Sequence, residues 1–311
     1  MTHSFLGLAR LGRNHAWRYW LGALLTLFTF LQGGILTLNL FAIYLRRDGN
    51  PATGVRLPTE IAPGESPFVG VEATTLYVIH NLTFLFFFLG LALSLKLLHR
   101  RSLRTLITPA QQINWRRIGQ GFSVFFALKV TEILTAYWMA PNHFTLAFRP
   151  RQFLFFLPFV FVLTPIQTTT EELFCRGYLL QAIGIKFNKQ IAIISTAVIF
   201  TFLHVLNPEV LTQSCWSGAA SLFSYYFMVG AFLAWLTLKD NTLELAIGVH
   251  AANNIATLLL VSSSNSAVPS PAVFNTDNMK ASFSLTFYYA FWLFAFAFII
   301  FRLLNRPNLQ H

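Results

Sequence analysis

Glu171 and Glu172 stand side by side in Thr168-Thr169-Thr170-Glu171-Glu172-Leu173-Phe174-Cys175-Arg176, inside one of the most apolar stretches of a 311-residue chain that is 55% hydrophobic. Taking an ionised carboxylate out of water is far more costly than burying a neutral polar group, so acids kept in such a stretch point to chemistry. On a helix Glu172 and Arg176 lie four apart with the acid first, the orientation that favours a mutual ion pair. Glu171 is turned by ~100° from Glu172 and is free for another role. Two further pairs share the four-residue spacing: Phe200 with His204, and His250 with Asn254. A carboxylate, two imidazoles and a carboxamide brought to one depth supply a base, a partner that holds water, and donors for a developing oxyanion. This is equipment for hydrolysis. One Glu and two His could also hold Zn²⁺, although the histidines come from different helices and no His-Glu-x-x-His stretch is present. Direct activation of water by Glu171 is the reading adopted, with no cofactor, and zinc stays open.

The elements that must position these residues are membrane helices. Mean hydropathy is +0.57, with 34 Phe and only 11% charged residues, more apolar surface than a water-soluble core of this size could hide. The expected fold is therefore an all-α, polytopic integral membrane protein with about eight transmembrane helices. They are placed at Tyr19 to Leu45, Leu76 to Leu98, Phe122 to Ala140, Phe153 to Ile185, Ile191 to Leu206, Ser217 to Leu238, Leu245 to Val261 and Phe283 to Leu304. Short polar breaks argue for one membrane domain over residues 1–311, with the catalytic core at 153–261. Arg10 and Arg13 precede an apolar run too long for a cleaved signal, so that run is expected to stay as the first span.

Net charge is +11, but the cations are scattered among loops and form no single patch, which argues against nucleic acid. Their distribution reads as topology. With both termini cytoplasmic, fourteen lie inside: Arg10, Arg13, Arg18, Lys96, Arg100, Arg101, Arg104, Arg116, Arg117, Lys186, Lys189, Lys239, Arg302 and Arg306. Six lie outside: Arg46, Arg47, Arg56, Arg149, Arg151 and Lys280. Asp48, Glu60, Glu65 and Glu72 gather in the first outer loop. All Trp except Trp292 fall near span ends. The loops from Arg46 to Thr75 and from Ser262 to Thr276 are expected to be irregular.

The fourth segment is too long for one upright span. For Glu171 to meet His204 and Asn254 in depth, Pro158 and Pro165 should bend it or delay its entry so that the span starts near Phe161, and a bent or tilted geometry is expected.

The three pairs, Glu-Glu-x-x-x-Arg at Glu171, Glu172 and Arg176, Phe-x-x-x-His at Phe200 and His204, and His-x-x-x-Asn at His250 and Asn254, occur in the order that marks the CPBP intramembrane proteases. The chain resembles that family, which includes Rce1-like CAAX-processing endopeptidases and the bacteriocin-processing or self-immunity (Abi) proteins, over Thr168 to Thr257. The resemblance implies an intramembrane endopeptidase acting on a membrane protein or lipidated peptide. It implies that Glu171 and His204 activate water, that His250 and Asn254 stabilise the oxyanion, and that Glu172, Arg176 and Phe200 brace the site. The family is often labelled metalloprotease. A non-catalytic scaffold or immunity factor and a transporter stay open as rival readings. The site is expected among the fourth, fifth and seventh helices, reached from the cytoplasmic side, in a plasma or inner membrane if the source is bacterial.

Other polar groups receive structural readings. Lys129 and Glu132 should pair with each other; Glu244 should charge a helix N-terminus; His80, Asn39 and Asn81 should bond between helices. Tyr178 should pack, and Cys175 and Cys215 should be small buried residues.

Overall fold

The computed structural model describes residues 4–49, 54–55, 68–263, 266, 268–276 and 281–304. Arg56, Glu60, Glu65, Lys280 and Arg306 lie outside them. In lipid every backbone N–H and C=O must be satisfied within the chain, and the apolar runs do so as helices. These are α1 (Ala16–Asp48), α2 (Ala73–Leu93), α3 (Trp115–Met139), α4 (Pro150–Glu172), α5 (Leu180–Gly184), α6 (Lys189–Leu203), α7 (Pro208–Leu211), α8 (Trp216–Asp240), α9 (Glu244–Leu260) and α10 (Phe283–Phe298). Among the described residues six helical stretches are long and apolar enough to cross a membrane: Ala16–Arg47, Ala73–His99, Trp115–Met139, Pro150–Gly184, Trp216–Asp240 and Phe283–Leu303. The protein is thus an all-α, multi-pass membrane protein. The other two expected spans are the shorter α6 and α9, with 15 and 17 residues. α9 is buried along most of its length, by protein and not by lipid. The lipid-facing surface is read from exposed stripes: Trp20, Leu24, Phe28, Leu31 and Ile35 on α1, and Phe287, Phe291, Phe294 and Phe298 on α10.

The fourth segment is helical from Pro150, with Pro158 and Pro165 inside α4. Its irregular turn is π-helical and lies at Leu173–Leu179, directly after the Glu171–Glu172 doublet and joining α4 to α5. The stretch Pro150–Gly184 is ~52 Å long at 1.5 Å per residue, against ~30 Å of hydrocarbon, so it must tilt or protrude.

Two loops expected to be irregular carry short strands. β1 (Gly54–Val55) pairs antiparallel with β2 (Phe68–Val69). β3 (Phe144–Leu146), β4 (Val261–Ser263) and β5 (Phe274–Thr276) form a three-stranded sheet with β5 in the centre, antiparallel to β3 and parallel to β4. Asn39 and Asn81 do not bridge helices: each amide donates to the carbonyl four residues back, Ile35 O and Tyr77 O. Cys175 is buried as expected, but Cys215 is exposed. Tyr178 does more than pack, because its hydroxyl meets His99 Nε2 at 2.8 Å and the Arg18 and Tyr19 carbonyls at 3.3 Å.

Contacts sort the loops into two faces. On one, Phe5 N donates to Asn241 Oδ1, Arg13 N to His99 O, Leu243 N to Ile107 O and Asn114 N to Glu244 Oε1. The N-terminal segment, the α2–α3 loop and the α8–α9 turn therefore lie together. On the opposite face, the β3–β5–β4 sheet gathers the α3–α4 and α9–α10 loops, and Ala281 N donates to Gln213 Oε1 of the α7–α8 loop at 3.4 Å.

α3 and α9 make the closest helix pair, permitted by small residues. A Cβ on Gly248 would run into Ile118 O and stand 2.7 Å from Phe122 N, and one on Gly121 would stand 2.7 Å from Leu245 O. Such backbone approach is how helices associate where no hydrophobic effect drives them. Gly248→Val should push α9 off α3 and cost about 1–3 kcal/mol, seen as a lower thermal unfolding midpoint of the detergent-solubilised protein. An unchanged midpoint would show that this contact does not hold the pair.

Candidate active site

The centre of the site is a carboxylate without access to solvent. Glu172 and Arg176 both have fully buried side chains and pair at 2.7 Å (Oε1 to NH1). Glu172 Oε1 also accepts from His250 Nδ1 at 2.8 Å, tying α4 to α9. The Arg176 guanidinium stacks 4.2 Å over the Phe200 ring on α6 and donates through NH2 to Gly230 O on α8 at 3.3 Å. One ion pair thus anchors four helical elements.

Glu171 points elsewhere. Its Oε2 lies 3.8 Å from His250 Nε2, too long for a direct hydrogen bond and a spacing at which a water can bridge. Gln167, one turn earlier on the same helix, donates to Glu171 Oε1 at 3.3 Å. His250 therefore has one nitrogen committed to Glu172 and the other turned to Glu171.

His204 caps the C-terminal end of α6. Its Nδ1 is 2.8 Å from Phe200 O. A carbonyl can only accept, so Nδ1 carries the proton and Nε2 keeps a lone pair. The ring lies between Phe200, centroids 4.4 Å apart, and Tyr226 of α8, stacked at 4.4 Å. Asn254 lies one turn beyond His250, and Asn253 Nδ2 donates to its Oδ1 at 3.0 Å. That bond leaves the Asn254 NH₂ as the end available to donate.

Glu171, His204, His250 and Asn254 all line one cavity of about 360 Å³, walled mainly by apolar and aromatic groups. Lys129 and Glu132 form the expected pair, at 2.7 Å, with the ammonium 4.3 Å over the Tyr289 ring. They also line this cavity, a placement their spacing did not foretell. Gln167, Asn253 and Tyr226 are site residues that the sequence reading passed over. The i−4 spacing of Gln167 from Glu171 was a usable signal, whereas nothing local marks Tyr226.

Among the described residues no three His, Cys, Asp or Glu side chains are grouped to hold a metal ion. Glu172 and His250 Nδ1 hold each other, and the Arg176 guanidinium beside them would repel a second cation.

Comparison with known proteins bears on this geometry. The family model "Type II CAAX prenyl endopeptidase Rce1-like" matches residues 149–256, the stretch that carries Glu171, Glu172, Arg176, Phe200, His204, His250 and Asn254. The uncharacterised protein YyaK of Bacillus subtilis (strain 168) is 32% identical over 258 residues, covering 82% of this chain and 81% of that protein. The chain belongs to the Rce1-like family. No solved structure matches it. Membership in the Rce1-like family supports a protease at the level of general class, in an integral multi-pass membrane setting.

Glu172→Ala would strand the Arg176 charge and the His250 ring donor, a loss of about 3–5 kcal/mol. Folded protein recovered as a monodisperse peak on size-exclusion chromatography should fall steeply. Glu171→Gln, at a side chain 12% exposed, should leave that peak intact; equal loss in both variants would contradict the division of roles between the two acids.

Proposed function

We propose that this Rce1-like protein is an intramembrane endopeptidase that hydrolyses a peptide bond in a membrane-associated or lipidated protein or peptide. The observation that carries the reading is the convergence of Glu171, His204, His250 and Asn254, from three helical elements, on one largely apolar cavity. A water held between the Glu171 carboxylate and the lone pair of His204 Nε2 loses its proton to this pair as its oxygen attacks the scissile carbonyl carbon. The new C–O bond shifts the carbonyl electron pair to oxygen. The Asn254 NH₂ and a proton on His250 Nε2 donate to that oxyanion. Collapse restores the carbonyl and breaks the C–N bond, and the leaving amine takes up the proton first removed from water.

The geometry of the doublet supports this use of His250, because Glu172 holds Nδ1 and leaves Nε2 as the ring nitrogen turned toward Glu171. Glu172 and Arg176 work through position: they hold the His250 ring so that Nε2 faces Glu171. No residue role in this sequence calls for a metal.

Peptide mass spectrometry on membranes holding the parent or Glu171→Gln identifies the substrate as peptides generated by the parent alone. On that substrate Glu171→Gln should lower kcat by about 10²–10⁴-fold with KM little changed. Asn254→Ala should lower kcat by about 10²–10³-fold, the usual cost of an oxyanion donor. A zinc chelator should leave the parent's rate unchanged. Undiminished cleavage by Glu171→Gln would sink the assignment, and identical peptide profiles would hand the protein to the scaffold reading.

A further inference from the structure

The loop residues that line the cavity come from one face. They include Asn207, Gln213, Ser263, Ser266 and Ala281, from the α6–α7, α7–α8 and α9–α10 loops, with Glu209 of the short α7 between them. All belong to the face that carries the three-stranded sheet, opposite the N-terminal segment. Among the described residues none of the lining comes from the loops of the N-terminal face.

That other face is closed by packed protein. In the turn that follows Glu172 on that side, Leu173 through Tyr178 are all buried. Beneath them the polar side chains are occupied with one another: Arg101 NH2 donates to Gln181 Oε1 at 2.6 Å, Tyr178 meets His99, and Arg117 pairs with Asp240 at 2.6 Å. By contrast His204 sits at the very end of α6, on the open face.

The charges assign a side to each face. Among the described residues thirteen Lys and Arg belong to the N-terminal face and four, Arg46, Arg47, Arg149 and Arg151, to the open one. Cations near span ends are retained on the cytoplasmic side. Cytoplasmic termini and a cytoplasmic route to the site, both expected from sequence, are therefore incompatible in this fold, and the charge count decides between them.

We propose that the site is served from the extracytoplasmic side, and that the substrate is a peptide segment presented there: an exported chain or a segment anchored in the outer leaflet, not the cytoplasmic C-terminus of a lipidated protein. The substrate class rests on the hydrolytic reading; the sidedness does not. It follows that a cleavable bond must cross or be tethered beyond the membrane before it can meet Glu171.

Cys215 is exposed on the open face and Cys175 is buried, so the natural chain carries its own reporter. With the full chain in a bacterial inner membrane, a membrane-impermeant maleimide applied to intact cells should label the parent but not Cys215→Ala. In the Cys215→Ala background, Ser266→Cys at the cavity wall should label from intact cells. Ser102→Cys, exposed on the N-terminal face, should label only in inside-out vesicles. Reversal of this pattern, or labelling of Ser102→Cys and Ser266→Cys from the same side, overturns the proposal. Glu171→Gln should label like the parent, since this readout needs no catalysis. Peptides dependent on Glu171 should map to extracytoplasmic segments; mapping to cytoplasmic C-termini overturns the substrate class. Expected labelling without any such peptides would defeat the hydrolytic reading and leave the sidedness standing.

Discussion

A single carboxylate oxygen, Glu172 Oε1, accepts from both Arg176 and His250 with no solvent to share the load. In low dielectric each of those partners is a requirement: remove one and an uncompensated charge or donor stays behind. The arrangement reaches past its three members, because Arg176 also fixes the level of Phe200 on α6 and meets the backbone of α8 at Gly230. A buried ion pair is weak evidence for net stability, since an apolar replacement can do as well. Its value here is in register. Sliding α9 by one residue along α4 would carry His250 off Glu172 and, with it, the ring nitrogen that faces Glu171.

The adjacency of the two acids follows from this division. Two carboxylates on one face would repel; neighbouring positions on a helix point ~100° apart, so one can be sealed in protein while the other reaches a cavity. The π-helical turn at Leu173–Leu179 begins directly after them, a common location for such turns, which recur at functional sites. It is packed tightly on its far side, where a Cβ on Gly177 would stand 2.8 Å from Leu106 Cβ and 3.0 Å from Leu106 O. The irregular turn is therefore held from both sides, by the ion pair and by the α2–α3 loop.

How far the sequence could be read depended on the range of each interaction. The Glu172–Arg176 and Lys129–Glu132 pairs were legible because both partners sit within one helical turn. The apolar segments were legible because lipid permits little besides helices, and the order of the three motifs was enough to indicate the family. What escaped was set by packing between distant segments. The π-helical turn at Leu173–Leu179 had no local signal, because it falls where the site and the α2–α3 loop grip the chain. The pairing of β3 with β5 unites segments more than a hundred residues apart, a pairing that three residues cannot advertise. Gln167 is the exception, since its spacing from Glu171 was as readable as that of Arg176 from Glu172.

Orientation and access are separate properties, and the fold shows why charge alone could speak only to the first. Cations near span ends record which loops stayed behind during insertion. Where a cavity opens depends on which helix ends fall short. α6 and α9 are short, and the ends that bear on the site, His204 and the segment after Asn254, are those on the sheet-bearing face. There the wall is completed by serines and loop amides, whereas the N-terminal half of α9 is buried from Glu244 to Ala252 against α3 and its neighbours. The proposed hydrolysis needs water, and the loop side chains that line the cavity belong to the sheet-bearing face. The packed half keeps Glu172 and Arg176 dry, and that dryness makes their pairing with His250 strong enough to aim the ring.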